Sequence, residues 1–199
     1  MTIADLIKAN RSCRRFDQRQ RVSMQTLTEL VELGRLSASA ANLQPLKYIL
    51  SCNPTVNAEI FACLSWARYL KEWPGPGEGE RPAAYIVMLH DRRISRHMDC
   101  DHGIAAQSIL LGAREKGLAG CMLGAIERPR LRSFLGIGED LKILLVLAVG
   151  KPGETAVIDT ADARSGIHYF RDAQGVHHVP KRPPNEIILA RFAEDDSAP

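Results

Sequence analysis

Arg11-Ser12-Cys13-Arg14-Arg15-Phe16 and, further on, Ser37-Ala38-Ser39-Ala40-Ala41-Asn42-Leu43-Gln44-Pro45 are the two segments on which the reading of this chain turns. The first sets three guanidiniums and a hydroxyl within five positions, just after a short amphipathic stretch. That chemistry suits a phosphate, because arginine offers a planar fork of donors and stays charged at any working pH. The second is a run of small residues ending in two carboxamides. It can approach a flat polar ring closely and hydrogen-bond its edge.

Outward from these segments the chain reads as alternating helices and strands. Thr2 can cap a first helix with Ile3, Leu6 and Ile7 on one face, and Ser23 a second running through Leu27, Leu30 and Val31 to about Arg35. Lys47 to Ser51 predicts a short strand, and Ile60, Phe61 and Leu64 a third helix. Pro74 to Glu80 is rich in proline and glycine and reads as a surface loop. Ala84 to Leu89 predicts a buried strand. Asp99 or Asp101 can cap a helix reaching Lys116, whose apolar residues nearly encircle it. Gly120 to Ile126 fits a strand, Pro129 to Leu135 a short helix, and Leu141 to Val149 the most apolar strand of all. Between Gly153 and Pro180 the periodicity lapses, and a last helix is expected from Asn185 to Phe192. A stretch that long without its own pattern predicts packing against something else, with a partner subunit the natural candidate.

Composition narrows the function classes. At 199 residues, 45% hydrophobic and 25% charged, the chain is expected to form one domain over 1–199. A net charge of +3 is too small to predict nucleic-acid or anionic-membrane binding. No apolar run approaches the roughly 20 residues that span a bilayer. The N-terminus lacks the pattern of a signal peptide. Five widely spaced cysteines without a C-x-x-C pair predict reduced thiols and a cytoplasmic setting. His97-Met98-Asp99-Cys100-Asp101-His102 contains ligand types, but on a helix they do not converge, so no metal is expected. His177-His178 reads as structural or surface, and Cys121, in an apolar strand, as an inert thiol.

In order and spacing the two opening segments resemble the nitroreductase family, whose members bind FMN. Arg11, Ser12, Arg14 and Phe16 match its first motif, with Asn10 where an arginine usually stands. Ser39, Asn42, Gln44 and Pro45 match the second, with Ala38 and Leu46 replacing the usual proline and tryptophan. Gly117 to Ala125 resembles the family's glycine-rich strand-turn, with Met122 where an aromatic is common. Pro180-Lys181-Arg182-Pro183 resembles its late basic pair.

The resemblance implies an α+β fold, a central, mainly antiparallel sheet flanked by helices, and a C-terminal extension wrapping the other subunit of a homodimer. It implies that Arg11, Ser12, Arg14, Lys181 and Arg182 hold the FMN phosphate and ribityl chain. Ser39, Asn42 and Gln44, from the partner, would contact the ring side, and the backbone at Gly124 and Ala125 the N5 edge. The implied activity is a NADH- or NADPH-dependent oxidoreductase that reduces an electron-poor small molecule such as a nitro compound or quinone, by ping-pong hydride transfer. No side chain need act as a catalytic acid or base. The alternatives are a flavin-consuming enzyme related to cobalamin lower-ligand synthesis, and a non-catalytic flavin-binding protein.

Overall fold

The computed structural model describes residues 1–97, 99–162 and 166–193. Its centre is β3 (Ala84–Asp91), every residue of which is buried. That follows from its position: β2 (Leu46–Ser51) pairs antiparallel on one side and β5 (Leu141–Pro152) on the other, while helices cover both faces. The far edge of β5 takes β4 (Ala119–Leu123) from Val146 to Gly150, then β1 (Phe16–Asp17) at Lys151 and Pro152, both antiparallel. The result is a five-stranded antiparallel sheet.

Period-2 alternation divides the core between the two faces. Tyr85, Val87 and Leu89 pack with Ile60 of α3 (Pro54–Ala62) and Leu131 of α5 (Arg128–Leu135). Ala84, Ile86 and Met88 pack with Leu27 and Leu30 of α2 (Met24–Arg35) and with Ala105, Ala106, Ile109 and Ala113 of α4 (Asp101–Glu115). Truncating a fully buried leucine such as Leu131 to alanine in such a core costs about 2–5 kcal/mol. Gly120 is fixed by the same packing. A Cβ there would lie 2.6 Å from the Ala148 carbonyl oxygen, so only glycine lets β4 seat against β5.

Local signals set most element starts. Thr2 and Asp5 form a reciprocal capping box on α1 (Ile3–Ala9), and the Ser23 hydroxyl accepts from the Thr26 amide at the head of α2. The head of α4 differs from the sequence expectation. Its N-cap is Cys100, without a side-chain bond, and Asp101 stands inside the first turn with its carboxylate turned elsewhere.

The chain beyond Gly153 also differs. It forms a second, three-stranded sheet in which β8 (His177–Lys181) lies between β6 (Ala156–Thr160), parallel to it, and β7 (Phe170–Arg171), antiparallel. Strands of two to five residues are too short to show a period, which is why the segment reads as patternless. The expected last helix shrinks to α6 (Pro184–Ile187). None of its residues is buried, so no packed face sustains more than a turn. Ile187, Ile188, Leu189 and Phe192 remain exposed.

Candidate functional site

The Arg11–Phe16 segment runs beside β4, with the Cys13 amide donating to the Gly120 carbonyl at 2.9 Å. Arg11 donates from Nη2 to the Ile7 carbonyl at 2.7 Å. Its Nε is buried with no hydrogen-bond partner among the described residues. Arg11, Arg114, Glu154 and Thr155 line a small cavity of about 180 Å³. Ser12 is exposed, and burial pushes up the pKa of the Cys121 thiol. Burial likewise raises the Cys13 thiol to about 12, so neither thiol is a ready nucleophile.

Arg14 is held inside the protein. Its Nη1 lies 3.0 Å from His177 Nε2, and its guanidinium sits 4.6 Å from the centroid of the Tyr169 ring. Arginine only donates, so His177 Nε2 is the acceptor and the ring proton is on Nδ1. That Nδ1 is buried and has no hydrogen-bond partner among the described residues. Burial, reinforced by the Arg14 charge, pushes the His177 pKa down to about 4. Below Arg14, the Glu154 carboxylate accepts from the amides of Arg14 and Arg15 and pairs with Arg171 at 2.8 Å. The Arg171 guanidinium in turn lies 4.3 Å from the Trp73 ring centroid.

The second segment forms an elbow on α4. Ser39 Oγ donates to Asp101 Oδ2 at 2.6 Å, and the Ala40 amide to Asp101 Oδ1 at 3.1 Å. The Gln44 amide donates back to Ser39 Oγ at 2.9 Å, and its Nε2 to the Asn42 side-chain oxygen at 3.1 Å. Ala41, Asn42 and Gln44 have φ of 47°, 55° and 53°. This left-handed backbone is unusual outside glycine and needs tertiary bonds to hold it. Asp101, 4% exposed, supplies them. Asn42 and Gln44 stay exposed, and Gln44 lines a cavity of about 200 Å³ with Gly34, Ser37, Tyr48 and Ala105.

Just past β4, Gly124 and Ala125 are exposed, their carbonyls accepting from Arg128 at 3.2 Å and the Ser65 amide at 3.0 Å. Lys181 and Arg182 lie at the far end of β8 from His177, roughly 13 Å along the strand at its usual rise. Arg182 pairs with Glu186 at 3.0 Å. Met98, inside the stretch considered for metal, lies outside the described residues.

Within one chain the predicted residues therefore form separate groups. Gly120, beside Cys13, packs on Leu110, nine residues along α4 from Asp101. At helical rise Leu110 and Asp101 lie about 13 Å apart along α4, so the arginine segment and the elbow sit towards opposite ends of that helix. Sequence reasoning missed Glu154 and Tyr169 and assigned His177 no part in the site. A lone glutamate after a strand and a tyrosine in a patternless stretch carry no local signal.

An antiparallel sheet between helical layers, with small-residue and basic segments at the ends of one central helix, defines an α+β class of proteins. A model of the nitroreductase family matches residues 7–151, and the chain belongs to that family. A candidate NADH dehydrogenase/NAD(P)H nitroreductase from Archaeoglobus fulgidus is 26% identical over 169 residues, spanning 80% of this chain and 90% of that protein. A nitroreductase family protein from Streptococcus pneumoniae TIGR4 superposes with a TM-score of 0.68 at 16% identity, over 96% of this chain and 100% of that one. An FMN-dependent nitroreductase from Clostridium difficile R20291 superposes with a TM-score of 0.63 at 20% identity, over 76% and 88%.

Proposed function

We propose that the protein is an FMN-dependent oxidoreductase that takes electrons from NADH or NADPH and reduces an electron-poor small molecule such as a nitro compound or quinone. The observation that carries this reading is the Asp101-pinned elbow. It holds two carboxamides, Asn42 and Gln44, in a strained and outward-facing arrangement that core packing does not require. When bound, FMN supplies two-electron chemistry, accepting hydride from the nicotinamide and yielding it to the second substrate in alternating half-reactions.

The chain's own residues then bind and orient. Ser39, Asn42 and Gln44 address the ring edge, and the backbone of Gly124 and Ala125 its N5 side. Arg11, Ser12 and Arg14, with Lys181 and Arg182, address the phosphate and ribityl chain. The buried Arg11 Nε, without a hydrogen-bond partner among the described residues, fits an anionic group, whereas the Arg14 guanidinium already serves His177. Arg14 therefore acts chiefly by shaping the wall.

The site is shared between two copies. The placement of the elbow and the arginine segment towards opposite ends of α4 favours completion by a second chain. So do Leu189 and Phe192, exposed at 95% and 97%. Among the described residues no helix is long and apolar enough to cross a membrane.

Extraction and chromatography of the bound flavin, followed by anaerobic stopped-flow reduction with each nicotinamide and reoxidation by a nitro compound or quinone, tests the reading. About one FMN per chain, bleached by NADH or NADPH, is expected. No flavin after reconstitution overturns it.

A further inference from the structure

A cavity of about 630 Å³ opens at the opposite end of β2 from the elbow. The length of β2, from Leu46 to Ser51, sets the two about 17 Å apart at strand rise. Its size suits a small-molecule ligand. Its lining contains Arg19, Arg21 and Arg81 and no acidic residue. Arg19 is tied to Asp17 at 2.9 Å, but Arg21 and Arg81 have no ion-pair partner among the described residues.

Two buried donors in the lining lack a hydrogen bond among the described residues, the Tyr85 hydroxyl and Arg81 Nε. Tyr85 is 1% exposed, and burial raises its pKa, so the group is an O–H donor at any ordinary pH. A buried donor left unpaired costs about 1–3 kcal/mol, so an acceptor in the cavity that reaches either covered atom through a small side-chain movement recovers that cost. The rest of the wall joins polar side chains, Gln18, Ser23 and Asn57, to an apolar part. The Arg81 guanidinium lies 4.4 Å from the Phe61 ring centroid, and Val22, Pro82 and Ala83 belong to the apolar part of the lining. A flat body can therefore pack beside Phe61 while its charged end meets the arginines. The N-termini of α2 and α3, at Ser23 and Pro54, add positive potential from the same side.

We propose that this cavity binds a small organic oxyanion, a carboxylate or phosphate ester carried on an apolar ring, at a site separate from the flavin-binding elbow. Arg81 and Tyr85 donate to the oxyanion, Arg21 neutralises it, and Phe61 and Val22 cover the ring.

Calorimetric titration of the purified, flavin-loaded protein with phenyl phosphate and with benzoate tests this. Inorganic phosphate and benzyl alcohol serve as probes lacking the ring or the charge. At least one ring oxyanion should bind with a Kd below about 1 mM, and the tighter of the two identifies the head group. Arg81→Met should weaken it by about tenfold or more, the scale of a lost bond to a charged group. Tyr85→Phe, which keeps the core filled, should weaken it severalfold, and both variants should retain their flavin. Absence of heat with both ring oxyanions overturns the proposal. So does benzyl alcohol binding as tightly, inorganic phosphate matching phenyl phosphate, or an affinity that neither variant changes.

Discussion

Arg14 and His177, 163 positions apart, meet with Nη1 3.0 Å from Nε2 and fasten the C-terminal sheet to the segment that follows α1. The same junction holds the Glu154 carboxylate, which accepts from two backbone amides and the Arg171 guanidinium. Because the arginine can only donate, this junction requires a neutral imidazole, and its strength therefore depends on pH.

His177 has its folded-state pKa depressed to about 4 from an ordinary 6.5. Its contribution is fully present above pH 6.5 and is lost as the pH falls toward 4. The shift corresponds to on the order of 3 kcal/mol. Urea unfolding across this window should show His177→Gln losing less stability with acid than the parent. Parallel pH profiles would refute the neutral junction.

His178, the next residue, behaves oppositely. The Asp172 and Asp159 carboxylates, 3.2 and 2.8 Å from its two nitrogens, raise its pKa above the ordinary value. Its stabilisation is present below pH 6.5 and lost as the pH rises through the elevated folded value. An NMR titration should therefore find the two adjacent imidazoles on opposite sides of 6.5, with His178→Gln removing the upper step. Coincident midpoints would count against both assignments.

Asp101 carries the elbow. Asp101→Ala strands the Ser39 hydroxyl and the Ala40 amide and should cost about 3 kcal/mol, while Ser39→Ala should cost about 1.5 kcal/mol. Because both act through one network, the double variant should cost little more than Asp101→Ala alone. Thermal unfolding measures the stability and the flavin-to-protein absorbance ratio the loss of flavin. Additive costs would mean that the two residues act independently.

Flavin affinity separates the basic residues. Arg11→Ala and Lys181→Ala should each weaken FMN binding by about 1.5–3 kcal/mol, the scale of a hydrogen bond to a charged group, and Arg14→Ala, which reshapes the wall, by less. Arg14→Ala should also lower the unfolding temperature, since it breaks the His177 contact. Lys181→Ala, at an exposed position, should not. His97→Ala is the control with unchanged affinity. Fluorescence titration at fixed salt gives the affinities, and unchanged binding in all three variants would place the phosphate elsewhere.

Most of the framework was legible in the chain itself. Thr2 and Ser23 act on their own first turns, and the apolar runs around Val87 and Val146 cannot be other than buried strands. The expected helix to Phe192 fell short because helix length depends on a packed face, and no residue of α6 is buried.

Ser39, Asn42, Gln44 and Arg14 could be singled out as residue types at a spacing, because a motif is a local fact. What each one touches was decided only by the tertiary structure. Asp101 reads as a helix cap, and the fold instead turns it to Ser39, 62 residues away. Glu154 has no distinguishing neighbour in sequence, yet it bonds the Arg14 and Arg15 amides, 140 and 139 residues away. Capping and periodicity are interactions within a few residues, so sequence alone determined the helices α2 to α5, the strands β2 to β5 and their buried faces, but not β6, β7 and β8. Pairing across the chain depends on which faces the packed sheet brings together, and that set the partners of Arg14, His177 and Asp101.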